Sequence, residues 1–289
     1  MTIGVKRVEV EYEFLNETDK DITTEVAFPI PPYQCEPFAR NAPFEDFSVS
    51  VDGSEMKYQT SLRALLKGQD KTKLLTDAGI SVGSIDIDIG KCYEPINGSE
   101  FSRLSSSIQE DLKQARLFDQ DGNPQWAVEK IYHWNMTFPA QKIVHVRHEY
   151  APVVGQAQIW KDYFGPIKRT LQGKEEQKRD PHPKEVVEGF TQVLRNACAG
   201  LPVVRDLESR HEPMVVVFWV DYVLTTANTW KTPIKNFTLV VDTTNPWDKE
   251  LITTKFCWNG PVRKLDATHF IVEMKDFRPD KELSVFFLR

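Results

Sequence analysis

Gly79-Ile-Ser-Val-Gly83 has the G-x-S-x-G spacing of a serine nucleophile. That chemistry needs a strand before the serine and a helix after it, so that the hydroxyl stands on a strained, exposed turn. Here the order is reversed. Lys71–Ala78 reads as a helix and Ser84–Ile89 as a strand, so Gly79 reads as a helix stop and Ser81 is predicted not to be a nucleophile. Asp119-Gln-Asp-Gly-Asn123 begins like a calcium loop. The glycine and glutamate that such a loop needs at its sixth and twelfth positions are Pro124 and Lys130, which leaves a plain turn. Asp86 and Asp88 share one strand face, as a cation site or acid pair would, and equally as a solvated sheet edge does.

The histidines show no metal spacing. His145 and His148 sit three apart on a predicted strand, where such positions face opposite ways. His148 travels with Val144, Val146 and Tyr150 and is expected buried; His145 travels with Arg147 and faces out. His133, His182, His211 and His269 stand apart from one another. No metal and no cofactor is expected. Asn97-Gly-Ser99 is a glycosylation sequon, or simply a turn outside a eukaryotic secretory pathway.

Aromatic residues offer more. Trp160, Trp230 and Trp247 lie in predicted loops, and with Asn228 they are the candidate ligand-binding residues, since loop aromatics beside amides form carbohydrate or peptide platforms. The competing reading is that they plug the ends of a β-sandwich. Trp134, Trp219 and Trp258 lie in predicted strands and are expected in the core. The four cysteines, Cys35, Cys92, Cys198 and Cys257, form no C-x-x-C pair, which excludes zinc-ribbon and thioredoxin sites. They fit two disulfides in an oxidising compartment, the alternative being four buried thiols. Architecture favours pairing within halves, Cys35 with Cys92 and Cys198 with Cys257.

The elements that must position these residues are mostly strands. Val8, Val10, Tyr12 and Phe14 alternate with charged residues, and Ile22–Ile30 returns until Pro29, Pro31 and Pro32 end the ladder. Asp52-Gly53 between apolar alternations is a hairpin signal. Residues 61–125 change character: Leu62, Leu65 and Leu66 suggest a short helix, and Phe101, Leu104, Ile108 and Leu112 recur at helical spacing. Alternation resumes from Val128 to Phe138 and from Val144 to Tyr150. The charged, proline-containing stretch around residues 168–185 reads as a linker. Beyond it, Val187, Phe190, Val193, Leu194 and Ala197 form an amphipathic stripe stopped at Gly200, followed by strands over 213–225, 234–242, 250–257, 269–275 and 282–288. The apolar run Met214–Val220 is a central strand, far shorter than the about 20 residues that span a bilayer. A net charge of −6 gives nucleic-acid binding no global electrostatic support.

Three stretches together carry a family resemblance: Tyr12–Pro29; Tyr132–Ala140 with His148-Glu-Tyr-Ala-Pro152; and Tyr222–Ile234 with Phe237 and Asp242. They resemble the bacterial domain-of-unknown-function family 4424. The resemblance implies export through a signal peptide, expected ahead of a chain that opens Met1-Thr-Ile-Gly-Val5. It implies no activity and carries over no functional residue.

The expected fold is mainly β, two β-sandwich-like units with a helical insertion and one helix packed on the C-terminal sheet, against an alternative of one α+β domain. The expected boundaries are 1–155 with the insertion at 61–125, a connector at 156–184, and 185–289. The expected function is a non-catalytic binding or envelope-surface protein, periplasmic or secreted, with a protein or carbohydrate partner. The alternative is an extracytoplasmic hydrolase with an unrecognised site.

Overall fold

The computed structural model describes residues 1–30, 32, 45–85, 101–120, 122, 124–174, 182–244 and 253–288. They fall into two compact units, residues 10–153 and residues 1–9 with 154–289. The chain is mainly β, as the alternations predict. It opens with β1 (Thr2–Ile3) and β2 (Val8–Leu15).

In residues 10–153, β2 is followed by β3 (Ile22–Pro29), β4 (Glu45–Val51), β5 (Ser54–Glu55), β6 (Gln59–Leu66) and β7 (Gln69–Asp70). Then come α1 (Thr72–Asp77), α2 (Ser106–Gln114), β8 (Ala127–Phe138) and β9 (Ile143–Ala151). One sheet has the order β2-β9-β4-β5, the other β3-β8-β6-β7. Their apolar faces meet through aromatic pairs: Phe28 with Phe47 at 5.6 Å, Phe47 with Tyr132 at 4.1 Å, and Phe14 with Phe138 at 5.7 Å. The alternation places Val144, Val146, His148 and Tyr150 inside, while His145 and Arg147 are exposed. Asp52 and Gly53 both take positive φ, 47° and 80°, in the tight turn joining β4 to β5.

The leucine triplet at 62–66 is a strand and not a helix. β6 pairs along β8 from Gln59↔His133 to Leu65↔Ala127, so ladder bonds outweigh the local helical spacing. Lys67 and Gly68, at φ 51° and 77°, turn the chain into β7, a hairpin the spacing of the leucines conceals. The helical part thus starts at Thr72. It buries Leu75, Ile80, Leu112, Leu117 and Trp126 against Ala64 of β6 and Val128 of β8. Gly79 is a helix stop as predicted: at φ 77°, its N–H donates to Thr76 O, and Ile80 N–H donates to Leu75 O. The strand expected after Ser81 is, over Val82–Ile85, a 3-10 turn. Asp86, Asp88 and the Asn97 sequon lie outside the described residues. At Asp119 the chain makes a turn, Gly122 N–H donating to Asp119 O.

The second unit contains β10 (Val154–Trp160), α3 (Phe164–Leu171), α4 (Lys184–Asn196), α5 (Leu201–Ser209) and β11 (Met214–Tyr222). β12 (Ile234–Asp242), β13 (Thr253–Phe256), β14 (Arg263–Lys264), β15 (His269–Phe277) and β16 (Leu283–Leu288) complete it. β11 is central in the sheet β10-β11-β16-β13. The other sheet runs β14-β15-β12-β1, with Val8 and Glu9 of β2 beside β1.

The stripe on α4 buries Val187, Phe190 and Leu194, with Phe190 6.3 Å from Phe286 of β16. Three helices pack on this sheet where one was expected. Much of the segment read as connector is ordered: 154–160 is β10, and α3 hides Phe164 and Ile167 completely. Lys168 and Arg169 on the outer face of α3 masked that apolar spacing. Gly200 does not stop α4. The helix ends at Asn196, and Cys198 takes the left-handed position at φ 52° while Ala199 N–H donates to Leu194 O. Gly200 instead begins α5.

Candidate functional site

A cavity of about 350 Å³ opens in the unit formed by residues 154–289. Two turns build it. One follows β13, where Cys257-Trp-Asn-Gly260 leaves the sheet; the other joins β15 to β16 through Phe277-Arg-Pro-Asp-Lys-Glu282. Leu224, beyond the end of β11, and Met274 of β15 add apolar wall.

The aromatic wall is closely packed. Trp258 stacks on Phe237 at 5.5 Å and 9° and meets Phe277 at 5.5 Å, while Phe237 and Phe277 are 4.6 Å apart. The Trp258 indole N–H is buried and finds no hydrogen-bond acceptor among the described residues, which costs free energy unless an acceptor arrives. The adjacent Cys257 is clamped to Cys198 by a disulfide with Cα atoms 5.0 Å apart. This is the pairing predicted for the C-terminal half, and it ties the strained end of α4 to the cavity wall. Cys35 and Cys92 lie outside the described residues.

The rim is charged and of mixed sign: Asp276, Arg278, Asp280, Lys281 and Glu282. Glu282 is committed to the fold. It accepts from Leu224 N at 2.5 Å and Thr225 N at 3.1 Å, and from the Thr225 hydroxyl, so it caps the 3-10 turn Thr225–Thr229. Asp276, Arg278, Asp280 and Lys281 form no ion pair among the described residues. Asp276 sits at φ 51°, which aspartate tolerates better than most residues.

Of the predicted ligand residues, Asn228 is brought to the cavity's edge. Its Nδ2 donates to Pro279 O at 2.7 Å, bracing the turn between Arg278 and Asp280. Trp230 is half-buried just after the 3-10 turn, its N–H on Ala227 O. Trp160 is 53% exposed at the end of β10, away from the cavity lining. Trp247 lies outside the described residues. The sequence reading missed Trp258, expected as a core strand residue, and the Phe277–Glu282 turn. The signal was available in both: Trp-Asn-Gly-Pro and Arg-Pro-Asp-Lys are turn chemistry between apolar strands.

His148 is not a site residue. It is 2% exposed, packed 4.2 Å from Phe28, with burial pushing its pKa down to about 3. Its Nε2 makes no hydrogen bond among the described residues, where the sequence reading expected a bonded histidine. Among the described residues no group of three or more His, Cys, Asp or Glu could hold a metal.

The family described as domain of unknown function (DUF4424) matches residues 1–286. No curated protein matches. Among solved structures, the chain is similar to a protein of Legionella pneumophila named as a candidate nutrient binding protein, at 15% identity and a TM-score of 0.44. The likeness covers 97% of this chain and 59% of that one, so the chain spans about three fifths of its length.

Proposed function

The chain belongs to the DUF4424 family, whose description assigns no activity, and from that premise we propose that it is an exported binding protein whose cavity at Trp258 takes a saccharide without transforming it. The carrying observation is the pairing of a braced aromatic wall with rim charges of both signs that no ion pair among the described residues engages. A sugar ring offers an apolar face for the indole and hydroxyls that both donate and accept. Asp276 and Asp280 supply acceptors, and Arg278 and Lys281 supply donors. The volume falls within the range of small-molecule sites. The Cys198–Cys257 disulfide supports an oxidising compartment, and among the described residues no helix is long and apolar enough to cross a membrane.

A thermal-shift panel of neutral, amino and acidic sugars tests this. A cognate sugar at a hundredfold excess over Kd adds about 2.7 kcal/mol to apparent stability. Trp258→Ala should abolish the shift, and Trp258→Phe, which keeps the packing, should weaken it. If every sugar leaves the melting temperature unchanged at millimolar concentration, or Trp258→Ala binds as the wild type does, the reading fails.

A further inference from the structure

In residues 10–153, three neighbouring strands set a serine, a histidine and a carboxylate in one hydrogen-bonded line. β8 lies between β3 and β6, and His133 on β8 stands opposite Ala27 on one side and Gln59 on the other. Glu25 and Ser61 are each two residues from those partners, hence on the same sheet face as His133. His133 Nδ1 is 2.8 Å from Glu25 Oε1, and His133 Nε2 is 3.0 Å from Ser61 Oγ. The carboxylate can only accept, so it fixes the proton on Nδ1 and leaves Nε2 to accept from the serine hydroxyl. Nucleophile, base and orienting carboxylate are thus in the order that serine catalysis requires.

We propose that Ser61 is a nucleophile toward small acyl esters, with His133 as its base and Glu25 as a positioning residue. The face is open: the side chains of His133 and Glu25 are 19% and 61% exposed. Ser61 is exposed, with Ile131 directly opposite it as its apolar cross-strand neighbour, a surface that offers one short aliphatic side chain to an acyl group, so acetyl-sized groups are the class that fits. As Ser61 Oγ bonds to the carbonyl carbon, its proton passes to His133 Nε2. The tetrahedral adduct collapses, the C–O bond to the alcohol breaks, and the alcohol leaves with that proton. Water then attacks the acyl-serine, gives a proton to His133, and the carboxylic acid departs as Ser61 recovers its hydrogen.

Arg63 lies two residues along the same face of β6, about 7 Å from Ser61. Its guanidinium is engaged by Asp70 at 3.0 Å and Glu129 at 2.8 Å, so it is not a free donor for the oxyanion and the water-exposed face itself solvates the developing charge.

The test uses the full chain with a fluorophosphonate probe and p-nitrophenyl acetate. Probe mass is expected on Ser61 and not on Ser81, lost in Ser61→Ala and retained in Ser81→Ala. His133→Gln should lower kcat by about 10²-fold or more. Glu25→Gln should lower kcat about tenfold or more with KM unchanged, an effect that loss of a strand contact does not produce. Ser61 is exposed, so its alanine variant folds and serves as the blank. Absence of label on Ser61 overturns the proposal. So does a His133→Gln variant that melts lower yet labels and turns over as the wild type does, because the three residues would then be a cross-strand staple only.

Discussion

The cavity at Trp258 and the Ser61 face of β6 use polar groups in opposite ways. In the cavity the rings are packed and braced while four rim charges have no ion-pair partner among the described residues. On the sheet face no stacked aromatic wall is present among the described residues, and Ser61, His133 and Glu25 are already satisfied by one another. Binding draws on desolvated apolar area and on polar groups that await a partner; proton transfer draws on alignment that exists before substrate arrives. Concavity therefore reveals the first site and is blind to the second, which only its hydrogen-bond geometry reveals. The tests already described strike each site at its centre; the predictions below strike the framework behind each.

The largest expected effect lies in the core behind the Ser61 face. His148 sits among Phe28, Phe47, Tyr12 and Tyr150, with ring centroids 4.2 to 6.1 Å away. Burial lowers its pKa from 6.5 to about 3. The folded pKa is below the unfolded one, so between those values the unfolded chain binds the extra proton. The stabilisation is complete above about pH 6.5 and is lost as pH falls toward 3, by roughly 5 kcal/mol over the full window. Urea titrations at pH 7 and pH 4.5 should show a steep loss in the wild type and a shallower one in His148→Phe. Parallel losses in the two proteins would show that the aromatic cage admits the charged ring, and that the core behind the face is softer than the cavity wall.

Behind the cavity the comparable device is covalent. Cys198 and Cys257 close a loop with a sequence separation of 59. Removing both as Cys198→Ser/Cys257→Ser should cost about 2–5 kcal/mol, and should also raise the Kd of any sugar bound at Trp258, since Cys257 precedes it in the wall. Calorimetry with and without ligand measures both. A double variant that melts lower but binds unchanged would mean that the stacking of Trp258 on Phe237 and Phe277 suffices to hold the wall.

The two sites differ also in how far the sequence announced them. Period-two patterning made β2, β8, β9 and β11 legible, because a half-buried or central strand must alternate or run apolar. Asp52-Gly53, Gly79 and the Cys198–Cys257 pair were legible for equally local or architectural reasons. β6 was misread, since the pairing with β8 that makes it a strand is non-local. Trp258 was placed in the core, since an aromatic beside an apolar strand looks the same whether it faces a core or a cavity. The Ser61 constellation could not be read at all: its members are 72 and 108 residues apart in sequence, and only strand order brings them together. Local turn chemistry pointed toward the cavity through Asn228; nothing local pointed toward the sheet face.

The smallest expected effect tests how tightly the cavity-bearing unit is packed away from the cavity. Gly155 of β10 lies directly opposite Trp219 of β11, and the indole covers the glycine: a Cβ there would stand 1.9 Å from Trp219 Cε2 and 2.3 Å from Cζ2. Trp219 packs in turn against the core formed with α3, α4 and α5. Alanine at 155 must displace the ring or bend the strand. Since Trp219 retains some exposure, part of the strain can be relieved toward solvent, which places the cost at about 1–3 kcal/mol. Trp219 fluorescence should shift as the ring moves. A Gly155→Ala protein with unchanged urea midpoint and emission would mean that the indole has a second resting place at no cost, and that close packing in this unit is confined to its disulfide and aromatic wall.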